Sequence, residues 1–238
     1  MKIYRATSGP FAERPYFTPE EIDQICADEL RKMGLFPQGP EPIRVERFIE
    51  KKFKINPKYE ELPAEILGYT KFGPKGLQEM VISRTLTEEN SEAAERRVNS
   101  TLAHESGHGL LHAHLFVLAK PSKTLFEQGF DIKEQKILCR KEAVDGVSEC
   151  PRSNSSNRWW EIQANMAIGG LLLPRELVLK ALGPYLVERG RLGARTLDFT
   201  RKKSATRHLA EVFDVNPIVA RIRINGLFPL SYEHQLSF

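Results

Sequence analysis

The most informative stretch of this 238-residue chain is His104-Glu105-Ser106-Gly107-His108. It has the pattern H-E-x-x-H, which on a helix is typical of zinc hydrolases. Residues four apart lie on one face of a helix, so His104 and His108 can bind one metal ion from a single turn. Glu105 then lies beside that face, within reach of a metal-bound water. Four of the six histidines fall between positions 104 and 114, which argues against a chance match.

Two histidines do not complete a catalytic zinc site, because such sites use three protein ligands and leave one position for water. The best candidate for the third ligand is Glu161, in the run Trp-Trp-Glu-Ile-Gln-Ala-Asn over residues 159–165. We predict that the side-chain carbonyl of Asn165 accepts a hydrogen bond from a ligand histidine and so fixes the tautomer of that imidazole. His112 and His114 are predicted to be structural, because the next helix turn drifts away from the metal.

The length fits one sizeable domain or two small ones, and the chain can bury a core without disulfides. Apolar residues make up 41% and charged residues 28% of the chain, as in ordinary soluble globular proteins. The net charge of +4 favours no particular partner. From Arg175 to the end there are 11 Lys or Arg against 6 Asp or Glu, for which a solvated helical face is a simpler explanation than an acidic partner.

The three cysteines, Cys26, Cys139 and Cys150, form no C-x-x-C pair, which favours a reduced, intracellular protein. Cys139 and Cys150 lie in one polar segment, where they form a pair, bind a second metal or, most simply, remain unlinked thiols. The first residues lack the apolar core of a signal peptide, and the apolar run over 110–119 is too short to span a bilayer. We therefore expect a cytoplasmic protein that does not enter a membrane.

The order of predicted elements indicates the α+β class. Residues 1–17 hold scattered Pro and Gly and are predicted to form an irregular arm, and residues 18–228 a single domain. Within this domain, residues 119–157 are predicted to be a polar insertion and residues 200–228 to contain a C-terminal helical pair. Residues 229–238 form a tail.

Capping residues and periodicity predict the elements around the motif. The run Thr18-Pro19-Glu20-Glu21 predicts a helix start with a capping box. Residues 65–72 and 77–83 predict two strands joined by a turn, and the second strand is expected to be an edge that can hold an extended substrate. The motif helix is predicted to run from about Ser91 to Leu118. Further predictions are helices over 45–53 and 158–173, a short strand over 137–139 and a loop over 153–157.

Three blocks of the chain, taken in order, resemble the ImmA/IrrE family of metallopeptidases. Residues 104–112, HESGHGLLH, match the family pattern H-E-x-G-H-x-L-L-H. Residues 161–167, EIQANMA, with LLLP over 171–174, resemble E-x-x-A-N-x-F-A…L-L-M-P. Residues 208–217, HLAEVFDVNP, with VARI over 219–222, are similar to the closing pattern L-A-x-x-F-x-V-S…R-L.

This resemblance covers roughly residues 18–228 and implies a gluzincin arrangement, in which E-x-x-x-D on a later helix follows H-E-x-x-H. The chain has Asn165 in place of the Asp, and a neutral amide raises the basicity of a ligand histidine less than a carboxylate does. The segment between Leu115 and Arg158 is also longer than the connection in the shorter family members.

The resemblance implies a zincin-like fold, in which a small antiparallel or mixed sheet packs on the motif helix with helices around it. It also implies a zinc endopeptidase. Family members occur in bacteria and mobile elements, and several cut a repressor of the helix-turn-helix type. In such an enzyme zinc lowers the pKa of its bound water to about 7. Glu105 takes the water's proton and later passes it to the leaving amine. Tyr69, His112 and His208 are candidates for a second oxyanion donor.

Two other functions stay open at this point. Residues 209–219 resemble a helix-turn-helix with Arg201, Lys202, Lys203 and Arg207 nearby, which suits a DNA-binding regulator. Because the same segment matches the closing helices of the peptidase family, DNA binding is the less favoured function. The third possibility is a catalytically silent zinc protein that serves as an interaction partner in a phage or toxin–antitoxin module.

Overall fold

The computed structural model describes residues 2–5, 13–118, 130–131, 136–140, 159–189 and 194–229. Its helices and strands alternate irregularly along the chain and belong to the α+β class, as the sequence predicts. None of the described helices combines the length and the apolar character that crossing a bilayer requires.

The largest sheet is mixed and has five strands, in the order β3-β5-β4-β7-β6. Its parallel pair is β3–β5, and the other neighbours are antiparallel. The strands are β3 (Lys58–Glu60), β4 (Ile66–Gly73), β5 (Gly76–Ser83), β6 (Phe130–Asp131) and β7 (Lys136–Arg140).

Strand β5 is only in part the edge that the sequence predicts. Its last three residues, 81–83, pair with β3 on one side, and residues 81 and 82 also pair with β4 on the other. The prediction that 77–83 is an edge strand is therefore wrong for these three residues. The short strand predicted over 137–139 is confirmed as β7, which pairs with β4.

The first helix, α1 (Pro19–Lys32), begins with the predicted capping box. The backbone N–H of Glu21 donates to Thr18 Oγ1 at 3.2 Å, and the backbone N–H of Thr18 donates to Glu21 Oε2 at 2.9 Å. Two residues beyond the helix, Gly34 has a φ of +66°, a left-handed conformation that glycine adopts without strain. The apolar face of α1 is buried through Ile22, Cys26 and Leu30.

The motif helix, α4 (Glu92–Leu111), begins at Ser91, whose side chain accepts from the backbone N–H of Ala94 at 3.2 Å. The sequence predicts one helix as far as Leu118, and this is wrong. Helix α4 ends at His112, and a separate helix, α5, spans Ala113–Leu118. The break coincides with a histidine whose ring is held by side-chain hydrogen bonds on both nitrogens.

Helix α6 (Trp159–Leu172) lies almost in backbone contact with α4 at Gly107. A Cβ atom on Gly107 would lie 2.8 Å from the Cβ of Ala167 and 3.1 Å from both the Cα and the carbonyl oxygen of Ala164. The absence of a side chain at this position therefore sets how closely the two helices approach. This approach places Glu161 opposite the two motif histidines.

We expect Gly107→Ala to lower the free energy of unfolding by about 1–3 kcal/mol, because the added methyl group forces the two helices apart. Gly226→Ala is the matched control, since no described atom lies within 4 Å of the Cβ that it would add in the last helix. That change should raise stability by about 0.4–1 kcal/mol by restricting the unfolded chain. Urea denaturation of both variants measures the difference, and equal effects would contradict the packing role of Gly107.

The remaining elements surround this framework. The N-terminal strands β1 (Lys2–Arg5) and β2 (Glu13–Tyr16) form an antiparallel hairpin, so the prediction of an irregular arm over 1–17 is wrong where the chain is described. Strands β8 (Leu186–Arg189) and β9 (Ala194–Leu197) form a second hairpin that the sequence patterns do not indicate. The other helices are α2 (Val45–Phe53), α3 (Thr85–Glu88), α7 (Arg175–Ala181), α8 (Lys202–Phe213) and α9 (Pro217–Leu227).

A small aromatic cluster joins the sheet to the beginning of α6. The rings of Phe72 on β4 and Phe116 on α5 stack with centroids 4.0 Å apart. The cluster also contains the buried rings of Trp159 and Trp160. Because the tryptophans directly precede Glu161, their burial fixes the first turn of α6 against the sheet and the end of the motif helix.

Candidate metal centre

The structure brings together the three side chains that the sequence predicts as metal ligands. His104 and His108 are fully buried, and the side chain of Glu161 is 15% exposed. The two Nε2 atoms lie 3.0 Å apart. The carboxylate oxygens of Glu161 lie 3.3 Å from the Nε2 of His104 and 3.6 Å from that of His108. In the described part of the chain, these residues form the one cluster whose donor atoms all lie within 4.8 Å of one another.

These separations fit a tetrahedral divalent metal such as zinc. Bonds of about 2.05 Å at tetrahedral angles place neighbouring ligand atoms about 3.3 Å apart, and the observed separations are 3.0, 3.3 and 3.6 Å. Two imidazoles and one carboxylate are also a donor set that catalytic zinc sites use, with a position left for water. Of the three side chains, that of Glu161 is the one with a solvent-exposed part.

Asn165 takes the supporting position that the sequence predicts. Its Oδ1 lies 2.9 Å from the Nδ1 of His104. An amide oxygen only accepts, so Nδ1 of His104 carries a hydrogen and its Nε2 faces the cluster. The spacing Glu161–Asn165 puts both side chains on the face of α6 that meets α4.

Two neighbouring acidic groups, Cys139 and Glu161, act on the pKa of His104. Burial alone would lower the pKa of His104, but the Cys139 sulfur and the Glu161 carboxylate outweigh burial and raise that pKa well above its usual range. Burial raises the pKa of Cys139 itself to about 11. The thiol is therefore neutral at pH 7, and the charge that favours the imidazolium is the Glu161 carboxylate. A metal ion binds the Nε2 of His104 only when that nitrogen carries no proton.

Behind His108, a chain of hydrogen bonds leads away from the cluster. The Nδ1 atoms of His108 and His112 lie 3.0 Å apart, and the Nε2 of His112 lies 3.0 Å from the Oε1 of Gln163. The Nε2 of Gln163 donates to the Pro15 carbonyl at 2.9 Å. Burial, together with the neighbouring His104 and His112, lowers the pKa of His108 well below its usual range. Burial is also the main cause that lowers the pKa of His112 to about 3.

Glu105 is fully buried next to the ligands, between α4 and the sheet. The hydroxyl of Thr70, on β4, donates to its Oε2. Its other oxygen, Oε1, has no hydrogen-bond partner among the described residues. Burial raises the pKa of Glu105 to about 8, against the lowering effects of His104 and of the Thr70 hydroxyl. A buried carboxyl oxygen without a partner is unusual and is available to a water or a substrate group.

The three candidates for a second oxyanion donor are engaged elsewhere. Tyr69 precedes Thr70, so its side chain points to the opposite face of the sheet, where its hydroxyl donates to Glu79 at 3.1 Å. The ring of His208, on α8, lies against Tyr185 with centroids 5.4 Å apart. His112 holds His108 from behind.

Thr70 and Gln163 lie near the ligands but are not predicted from the sequence, which suggests for Cys139 only a pair with Cys150, a second metal or an unlinked thiol. Thr70 lies in a strand with many apolar residues, and Gln163 lies between the apolar residues Ile162 and Ala164, so each gives only a weak signal in the sequence. Cys139 is buried on β7 beside His104. Cys150 lies outside the described residues, as does the predicted loop over 153–157.

Comparison of the chain with models of known protein families gives no match, and comparison with curated proteins gives none either.

Proposed function

We propose that this protein is a zinc-dependent endopeptidase with a zincin-like arrangement, similar to the ImmA/IrrE metallopeptidases, and that it acts on a protein substrate in the cytoplasm. The observation that carries the proposal is the buried cluster of His104, His108 and Glu161 with a carboxyl group, Glu105, directly beside it. A mixed sheet packed on the motif helix supports the same arrangement.

Zinc held by the three side chains would supply a Lewis acid for the scissile carbonyl and acidify a water molecule. Glu105 acts as the base: Thr70 fixes its Oε2, so Oε1 is positioned to take the proton of the attacking water. The same carboxyl group then gives this proton to the leaving amine. A pKa near the operating pH suits both transfers, and that of Glu105 is raised to about 8 before any cation is bound.

The other residues hold the ligands in place. Asn165 keeps the proton of His104 on Nδ1, and its Nε2 is thereby presented to the cluster. The small residues at the crossing of α4 and α6 allow Glu161 to approach both histidines. The substrate class that we infer, a repressor of the helix-turn-helix type, is supported by the sequence resemblance alone.

Cleavage is tested by incubating the purified, zinc-loaded protein with a peptide library and with any repressor encoded beside it, followed by mass spectrometry. We expect peptide bonds to be cut by the wild type and not by Glu105→Gln, which keeps the three ligands. The control is the wild type with excess chelator. A protein that binds zinc tightly but cuts no substrate would contradict the proposal and favour a silent interaction protein.

DNA binding has less support. Helices α8 and α9 border a groove of about 940 Å³ that several cations line, among them Lys202, Lys203 and Arg221. Two further cations of the groove already have acidic partners: Arg96 Nε lies 2.7 Å from the Asp214 carboxylate, and Arg207 pairs with Glu211 at 3.9 Å. We therefore do not propose DNA binding as the function.

A further inference from the structure

At the end far from His108, the chain of hydrogen bonds begins at a backbone carbonyl, which cannot donate. The carbonyl oxygen of Pro15, in strand β2, only accepts hydrogen bonds. The side-chain amide of Gln163 must therefore turn its NH₂ group toward Pro15, where the separation is 2.9 Å. The amide oxygen, Oε1, then faces the other way, toward His112. The N-terminal hairpin thus sets the orientation of a side chain on α6.

This orientation decides where His112 carries its hydrogen. Its Nε2 lies 3.0 Å from Gln163 Oε1, which only accepts, so Nε2 must donate. The ring is fully buried and packs edge-on against Trp159, with centroids 5.5 Å apart. The described partners of the ring are His108, Gln163 and Trp159, none of which is acidic. A buried imidazole whose partners carry no negative charge is neutral, because nothing offsets the desolvation of its charge. The Nδ1 of His112 therefore has a free lone pair.

The contact between His112 and His108 fixes which nitrogen of His108, a proposed metal ligand, carries the hydrogen. The Nδ1 atoms of His108 and His112 lie 3.0 Å apart, and a hydrogen bond between them needs one donor. Since the Nδ1 of His112 accepts, that of His108 must donate. The Nε2 of His108 is then left with its lone pair, 3.0 Å from the Nε2 of His104 and 3.6 Å from Glu161.

We infer that His112 and Gln163 are positioning residues that hold the hydrogen of His108 on Nδ1 and so present its Nε2 to a metal, with the Pro15 carbonyl as their fixed end. On His104 the single amide of Asn165 does the same. The two ligand histidines thus have separate supports, one of which includes the N-terminal hairpin. The inference rests on the metal-binding part of the proposed function and not on peptide cleavage.

The first test measures the tautomer directly. In the metal-free wild type at pH 7, long-range ¹H–¹⁵N correlation spectra should show His108 with its hydrogen on Nδ1 and His112 with its hydrogen on Nε2. The opposite tautomer of His108 would overturn the inference. This readout needs neither zinc nor a substrate, so an absence of cleavage would sink the proposed function and leave the tautomer result unchanged.

The second test compares two replacements of His112. His112→Phe keeps a ring against Trp159 but removes the acceptor for the Nδ1 hydrogen of His108. His112→Asn keeps an acceptor, because its Oδ1 takes nearly the position of Nδ1. Supporting residues of this kind change metal affinity by about 10–100-fold when lost. We therefore expect a loss of that size in His112→Phe and a much smaller one in His112→Asn, measured by competition with a chromophoric chelator.

Two controls separate positioning from general damage. His114→Phe makes the same replacement at the exposed histidine two residues further on and should leave zinc affinity unchanged. Gln163→Leu leaves His112 itself intact and removes only its fixed partner, so it keeps the test decisive if His112→Phe does not fold. In Gln163→Leu, His108 should become a mixture of tautomers. Equal losses of zinc affinity in His112→Phe and His112→Asn would indicate a structural role and overturn the inference.

Discussion

Replacing Glu105 by Gln should abolish peptide hydrolysis and, in the metal-free protein, raise the free energy of unfolding above pH 5. The first effect follows from the proposed role of Glu105 as the base, because an amide cannot take a proton from water. The second follows from the structure alone. The carboxyl group is fully buried, and within the described residues one of its oxygens has no hydrogen-bond partner, so its ionisation in the folded protein is costly.

The direction of the pH dependence follows from the two pKa values of Glu105. Burial raises its pKa from the ordinary value of 4.5 to about 8 in the folded protein. Below pH 4.5 the carboxyl group is protonated in both states, and its contribution to stability is fully present. As the pH rises toward 8, the unfolded chain ionises first, so this contribution is lost. The loss is about 1.4 kcal/mol per pH unit across that window, as an upper limit.

Chemical denaturation of both proteins in excess chelator, between pH 4.5 and pH 8.5, measures this difference. We expect the free energy of unfolding of Glu105→Gln to rise steadily relative to that of the wild type as the pH rises. The reason is that Gln retains the oxygen that accepts from Thr70 and has no charge to bury. Glu95→Gln, at an exposed position on the same helix, is the matched control for replacing a carboxyl group that is not buried. A pH-independent difference in Glu105→Gln would contradict the buried, protonated carboxyl group.

Such a result would also show why the sequence is informative at this position. A carboxylic acid that weakens the fold is retained where chemistry needs it, and local rules of folding fail most often at functional sites. The spacing of His104, Glu105 and His108 is a local pattern on one helix, so it is visible without any structure. Glu161 and Asn165 are visible for the same reason, as a second pair four residues apart.

The supporting contacts are not local, and this is why the sequence does not predict them. Thr70 reaches Glu105 from 35 positions earlier, and Gln163 joins His112 to a backbone carbonyl 148 positions away. Each of these contacts depends on how α4, α6 and the sheet pack, which no periodicity encodes. The partner of Gln163 is a backbone oxygen, which any residue offers, so its identity leaves no signal in the sequence.

In the fold, too, features set by neighbours in the chain are predicted and features set by tertiary contacts are not. The capping box of α1 and the turn between β4 and β5 involve neighbours in the chain, and both are predicted correctly. The end of the motif helix at His112 and the pairing of β1 with β2 are set by tertiary contacts and are missed. The pairing of β7 with β4 also inserts a strand from the predicted polar insertion into the sheet beside the ligands.

Zinc should stabilise the wild type strongly and Glu161→Ala hardly at all. A ligand that binds only the folded state adds about 4 kcal/mol to stability when its free concentration is 1,000 times its Kd. Removal of Glu161 leaves two histidines on one helix turn, which the flanking supports still orient but which no longer form a three-ligand site. Stabilisation of Asn165→Ala by zinc should lie between that of the wild type and that of Glu161→Ala, because the zinc affinity falls by about 10–100-fold.

Thermal unfolding with and without zinc, together with chelator competition, measures these effects. Glu95→Ala is the control for loss of a glutamate on an exposed face and should respond to zinc as the wild type does. The same experiment separates a metal centre from a buried ion pair, because His104 and Glu161 lie 3.3 Å apart and could stabilise the fold without any metal.

If the pair were purely structural, Glu161→Ala would leave a buried charge unpaired, at a cost of about 3–5 kcal/mol in the metal-free protein, and zinc would shift neither protein. A metal centre differs in its response to zinc. Zinc should then stabilise the wild type and not Glu161→Ala, and this stabilisation should grow as the pH rises, because protons compete with zinc for the imidazole nitrogens. If zinc stabilised the wild type and Glu161→Ala by the same free energy, Glu161 would be excluded as a ligand.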